Sequence, residues 1–237
     1  MKKLRYAICL LAETRRMRVS DFALKKIQEG HNVVMAVNAS PWGPWGDPKI
    51  NHLYADNVGL LVSDGKVIAM PHSKKKDGVP ALVVLENGKA DMIFCKQGDD
   101  VSKVRMAVSG FFFVLRNGEF VYKPAKEQLH PRTFYGLSED KSVLYIAVAD
   151  GRQPGVSNGM TCNEGAQLMK HLGAHDAINM DGGGSTTLVT VRKKVPILVN
   201  APSDAKNFTG EEKIKHTRHV ATALGVCYGK KKKTETD

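Results

Sequence analysis

The sequence has no apolar run approaching the ~20 residues that a membrane-spanning helix needs, so no stretch reads as a span. A basic start and a short apolar stretch from Tyr6 to Ala12 sit at the lower limit of a signal core. No small-x-small cleavage site follows, and the stretch reads as a first β-strand. Cysteine is scarce and scattered at Cys9, Cys95, Cys162 and Cys227. No CxxC or Cys/His spacing points to zinc, and the chain is not a disulfide scaffold, although one bridge between strand cysteines is compatible with it. His130, His171, His175, His216 and His219 lack HExxH-like spacing, and each reads as structural or exposed. Interleaved aromatics and a helix-turn-helix are also missing. The net charge of +11 therefore reads as solvated lysine runs at Lys74–Lys76 and Lys230–Lys233 rather than as a nucleic-acid surface.

With 237 residues and an ordinary apolar and charged balance, the chain reads as one globular domain over 1–229 and a basic disordered tail over 230–237. Ser20 is the expected N-cap of a short helix ending near Glu29, with Gly30 at its C-terminus. Three dipeptides, Asp64-Gly65, Asn87-Gly88 and Asn117-Gly118, lie between β-rich runs and suit type I′ hairpin turns. The second half changes character. An apolar strand over 142–149 ends at Asp150-Gly151-Arg152, and Thr161 with Glu164 forms a capping-box pattern that opens a helix stopping at Gly173. A short strand from Ala177 to Met180 then delivers Asp181. A polar loop from Ala201 to Thr217 precedes a last strand, and no internal repeat is visible. The fold class is α+β (mixed α/β): strand-rich mixed sheet with a few helices, including one strand–helix–strand unit before the Asp181 turn. If that unit's strands paired in parallel, it would be a right-handed crossover with ligands beyond its strand ends, where Asp150 and Asp181 sit.

The run Asn179 to Ser185, NMDGGGS, is the strongest candidate for chemistry. Three glycines in a row are costly in chain entropy but let the backbone approach a ligand and turn N–H groups toward phosphate or carboxylate oxygens. The run lacks the Gly-Lys-Ser/Thr ending of a phosphate loop, and a strand rather than a helix follows, which excludes a dinucleotide fingerprint. Arg132 and Arg152 can clamp phosphate through planar guanidinium groups. Glu164 is open to two readings, a catalytic acid or the reciprocal partner of the Thr161 cap.

The run HPRTFYGL, followed by LYIAVADGRQPGVSNGMTCNEGAQLMKHLGAHDAINMDGGGSTTLV, resembles the phosphodiester glycosidase family, which has many bacterial members. A weaker likeness extends to Val19–Ala23, to Asn38 and to the closing HTRHVATALGV. Matching positions are Asn38, Arg132, Thr133, Asp150, Gly151, Arg152, Ser157, Gly159, Met160, Thr161, Glu164, Asn179, Asp181, Gly182, Gly183, Gly184 and Ser185. The departures are Ala39-Ser40-Pro41-Trp42, where members usually carry a glycine and an aromatic, and the lack of the residues usual before the first strand. The resemblance implies a hydrolase that cleaves the glycosidic bond of an N-acetylglucosamine-like sugar joined through a phosphodiester, without a cofactor, in an extracytoplasmic setting. It implies Asp181 as nucleophile or base with Glu164 or Asp150 as partner. Asn38, Arg132, Thr133, Arg152, Thr161, Asn179 and the Gly182–Ser185 turn would then contact substrate. Two rivals stand beside it: a non-catalytic carbohydrate- or sugar-phosphate-binding module of the same fold, and a metal site using Asp150, Asp181 and backbone carbonyls.

Overall fold

The computed structural model describes residues 6–10 (backbone only), 15–43, 55–71, 77–122, 124 and 126–229. Both lysine runs lie outside these residues. The fold is the strand-rich α/β mixture expected, organised as three five-stranded sheets and a two-stranded ribbon. The first sheet runs Tyr6–Leu10, Ala223–Tyr228, Val33–Asn38, Leu188–Arg192 and Val195–Leu198 in spatial order. The second runs Glu119–Phe120, Phe112–Arg116, Asp176–Asn179, Arg132–Leu137 and Leu144–Ala149. The third runs Lys66–Ala69, Leu61–Ser63, Val104–Ser109, Val79–Leu85 and Ala90–Cys95. Their inner faces share one core, in which Val37 and Leu224 of the first sheet meet Tyr135 and Ile178 of the second and Leu82 and Met106 of the third. Each such fully buried side chain contributes roughly 1.5–3 kcal/mol of transfer free energy.

Helix Val19–Gln28 packs Val19, Phe22 and Ala23 against the outer face of the first sheet. Its N-cap is Arg18 rather than Ser20. Arg18 makes no side-chain cap and instead pairs with Asp21 at 2.8 Å, so an acidic first turn does the work assigned to a serine. Gly30 ends the helix as expected, with His31 N–H donating to Lys26 O at 3.0 Å. Helix Cys162–Leu172 covers the second sheet through Cys162, Ala166 and Met169, against Val114, Phe134 and Ala177.

All three hairpins form. Asp64 and Gly65, like Asn117 and Gly118, both take positive φ, as type I′ turns require. The Asn87-Gly88 hairpin closes differently. Only Gly88 is left-handed there, Gly88 N–H donates to Leu85 O at 2.9 Å, and Leu85 N–H donates to Lys89 O at 2.9 Å. That is a type I turn followed by a glycine bulge. The polar loop after Ala201 holds a 3-10 turn, Ser203–Ala205, and a short helix, Gly210–Lys215. Cys95 and Cys162 are buried free thiols, and Cys227 is also buried. Among the described residues no helix is long and apolar enough to cross a membrane.

The strand–helix–strand unit is present, but its strands do not pair. Arg132–Leu137 lies between them, antiparallel to both, so Leu144–Ala149 and Asp176–Asn179 are parallel with a strand intervening. Arg132 stands opposite Ala149, and Phe134 opposite Asn179. The start of the central strand therefore lies beside both carboxyl ends, with Asp150 emerging on one side of it and Asp181 on the other.

Candidate active site

Asp181 sits where the first two sheets meet. Its N–H donates to Ala39 O at 3.0 Å, and its carbonyl accepts from Asn38 Nδ2 at 2.7 Å. Only 2% of the residue is exposed. Oδ1 accepts from Gly182 N–H at 2.9 Å, whereas Oδ2 makes no hydrogen bond of normal geometry among the described residues. Burial pushes this carboxyl up to about 6, opposed by Ser185, the Gly182 amide, Arg218 and Trp42, which favour the ionised form.

The side chain borders a cleft of about 270 Å³ whose charged lining is Arg132, Arg152 and Arg218, with His130 between the first two. Phe111 and Met180 supply apolar surface, and Gly182 and Gly183 supply bare backbone. Arg132 is aimed by its own backbone neighbours: Nε donates to Met160 O at 3.2 Å and Nη2 to Gln128 O at 3.1 Å. Arg152 lies with Nη2 3.4 Å from His130 Nδ1. Burial, then Arg132 and Arg152, holds His130 below its ordinary proton affinity, so the imidazole is neutral near neutral pH. A larger cavity of about 1210 Å³ opens at the other end of the second sheet, near Leu137 and Val226, and holds none of the candidate residues.

The glycines act differently from the expected anion nest. Gly182 N–H goes to the Asp181 carboxylate, Gly183 N–H to Pro131 O at 2.9 Å, and Ser185 N–H to Gly182 O at 3.2 Å. Three of the four amides of such a nest are thus engaged within the protein. What the glycines supply is room. A Cβ on Gly182 would stand 2.7 Å from Pro131 O. One on Gly183, at φ +62°, would stand 3.0 Å from Arg152 Nη1. One on Gly184 would stand 2.1 Å from Asp204 Oδ1 and 2.4 Å from Arg218 Nη2. Guanidinium groups lie against backbone that side chains would otherwise cover.

The remaining sequence candidates divide in two. Asn38 and Thr133 are buried behind Asp181: Asn38 Oδ1 accepts from Thr133 Oγ1 at 2.9 Å and from Thr187 N–H at 3.1 Å. Asn179 and Ser185 are buried on the same turn, and Asn179 Oδ1 and Ser185 Oγ make no hydrogen bond of normal geometry among the described residues. Asp150 turns from the cleft to brace another loop, accepting from Asn200 Nδ2 and from Ala201 N–H, each at 2.8 Å. Thr161 and Glu164 satisfy each other in a complete capping box, with Glu164 Oε2 2.8 Å from Thr161 N and Glu164 N–H donating to Thr161 Oγ1 at 3.1 Å. Hydrogen bonds from the Thr161 backbone and hydroxyl hold Glu164 below its ordinary carboxyl value. Neither Asp150 nor Glu164 lines the cleft with Asp181. Among the described residues no three His, Cys, Asp or Glu side chains group as metal ligands would.

Arg218, His130 and Phe111 are among the lining residues that escape the sequence reading. Arg218 lies in the closing HTRH stretch that carried the resemblance, a signal that could have found it. His130 precedes the Pro131-Arg132 pair and, without metal-like spacing, reads from sequence as structural or exposed. Phe111 has no local signal, because only the pairing of its strand with Asp176–Asn179 brings it to the cleft.

The chain superposes on a zebrafish N-acetylglucosamine-1-phosphodiester alpha-N-acetylglucosaminidase catalytic domain, auto-inhibited by its pro-peptide. The TM-score is 0.70 at 20% identity, covering 94% of this chain and 73% of that one. A putative exported protein from Burkholderia pseudomallei matches with TM-score 0.61 at 15% identity, covering 94% and 71%. A hypothetical protein from Synechocystis matches with TM-score 0.57 at 12% identity, covering 96% and 57%. At these identities the likeness is one of fold. Among curated proteins no sequence match emerges. The family profile described as phosphodiester glycosidase, however, matches residues 31–227, most of the sequence and every residue of the cleft, and on that match the chain belongs to the phosphodiester glycosidase family.

Proposed function

We propose that the cleft hydrolyses the bond between a sugar, N-acetylglucosamine-like, and a phosphodiester. The observation that carries this reading is one buried carboxyl, raised to about 6, in a cleft lined by three arginines. A phosphate ester is already a good leaving group, so the site need not supply a strong acid. It must compensate charge on phosphate and provide a base. Arg132 and Arg152 hold the phosphate oxygens. Asp181 accepts a proton from water as that water bonds to the anomeric carbon. The sugar–oxygen bond breaks, and its electron pair leaves on the phosphate. A base with a proton affinity near neutrality is well matched to this role.

This assignment uses one carboxylate where the sequence suggested two, because Asp150 and Glu164 have other hydrogen-bonding partners. The test is hydrolysis of an N-acetylglucosamine-1-phosphodiester by folded Asp181→Asn and Arg152→Ala variants. Each is expected to lose on the order of 100-fold or more in kcat/KM. Full rates in both variants would overturn the reading. Binding without turnover by the wild type would instead favour the sugar-phosphate-binding module. The anomer released, read by proton NMR, separates a base, which inverts, from a nucleophile, which retains.

A further inference from the structure

Asp204 lies in the 3-10 turn Ser203–Ala205 of the loop that the sequence marks only as polar, and Arg218 follows directly after that loop. Arg218 Nε donates to Asp204 Oδ2 at 2.8 Å and Nη2 to Asp204 Oδ1 at 3.3 Å, a fork-to-fork pair. Arg218 also borders the cleft beside Asp181. The pair occupies the space that a side chain at position 184 would need. Gly184 does not take positive φ, so its backbone conformation is open to any residue, and room alone accounts for the glycine.

We propose that Arg218 is a third anion-binding arginine of the cleft, taking the phosphate of a phosphodiester together with Arg132 and Arg152, and that Asp204 is its positioning residue. The role in catalysis rests on the proposed hydrolysis; the role in anion binding does not. Among the described residues, Asp204 pairs with Arg218, and the charged and titratable groups that line the cleft with it are Asp181, Arg132, Arg152 and His130. Neighbouring His219 is influenced instead by Arg18, Asp21 and Arg16. Arg218 therefore acts on two anions: Asp204 fixes its plane, and its charge favours the ionised form of Asp181. Removing that charge raises the proton affinity of Asp181. Replacing it with lysine keeps the charge and loses the fork.

The experiment uses the full chain as wild type, Arg218→Gln, Arg218→Lys and Asp204→Asn. It measures affinity for inorganic phosphate by calorimetry and titrates the Asp181 carboxyl by carbon NMR. Phosphate affinity is expected to fall about tenfold in Arg218→Gln and severalfold in Arg218→Lys and Asp204→Asn. The Asp181 titration should move upward in Arg218→Gln and stay in place in Arg218→Lys. Thermal melts close to that of the wild type show that the variants fold, and Arg218→Lys serves if Arg218→Gln does not. Wild-type phosphate affinity in both Arg218 variants overturns the proposal. If the wild type hydrolyses no sugar phosphodiester while Arg218→Gln still loses phosphate affinity, the functional reading falls and this inference stands.

Discussion

Glu164 and Asp181 are both acidic residues at element boundaries, one opening a helix and one closing a strand, and their surroundings push them in opposite directions. Glu164 is exposed, accepts two hydrogen bonds from Thr161 and is held below its ordinary value. Asp181 is buried, receives one amide hydrogen bond and is raised to about 6. The first carboxylate is satisfied by a residue three positions away. The second is influenced by groups from distant parts of the chain, Arg218 near the end and Trp42 near the start, while Asn38 holds its backbone carbonyl. A carboxylate that its own neighbours complete has little left to offer a ligand, whereas one left short of partners inside a cationic cleft is available for chemistry.

The comparison is sharpest in activity. Asp181→Asn is expected to lower kcat/KM on a sugar phosphodiester by a factor of about 10²–10⁴, and Glu164→Gln by less than about threefold, in parallel assays. Equal losses would erase the distinction. Gly183→Ala comes next. A methyl at φ +62° and 3.0 Å from Arg152 strains the backbone and displaces the guanidinium. About a tenfold loss in kcat/KM is expected, with roughly 1 kcal/mol of destabilisation by urea melts.

Stability should separate the two residues by pH. Asp181 binds its proton more tightly folded than unfolded, so its contribution is most favourable below pH 4 and is lost as pH rises from about 4 to about 6. The difference is on the order of 2–3 kcal/mol, and urea titrations at pH 4 and 7 should show that slope in the wild type and not in Asp181→Asn. Glu164, with its lowered value, acts with the opposite sign: its contribution is present at neutral pH and lost on acidification. The smallest effect belongs to Thr161→Ala, which removes the reciprocal cap at a cost of about 1 kcal/mol, read from the shift in urea midpoint.

Local chemistry is where the sequence is most legible. Asp64-Gly65 and Asn117-Gly118 announce their turns because positive φ at both positions is a property of those dipeptides. Thr161 and Glu164 announce a helix start because each side chain meets the other's backbone. The glycine run marked the Asp181 turn, and the family likeness tied Arg132 and Arg152 to it. The physical role of the glycines stayed hidden, since Arg152 and Asp204 approach them from outside the turn. Insertion of Arg132–Leu137 between the two parallel strands is likewise a pairing over long sequence separation that periodicity does not record. Asp150 and Glu164 looked like partners for Asp181 because they border the same strand–helix–strand unit; their hydrogen bonds draw them to a neighbouring loop and a helix cap.

The most direct measurement is the pH dependence of kcat/KM for an N-acetylglucosamine-1-phosphodiester between pH 4 and 8. A base at Asp181 gives a rate that rises with pH through a single limb near 6. Asp181→Asn should remove both the limb and the rate. Full activity in Asp181→Asn, or a wild-type rate that is flat across pH 6, would contradict the assignment of Asp181 as the base.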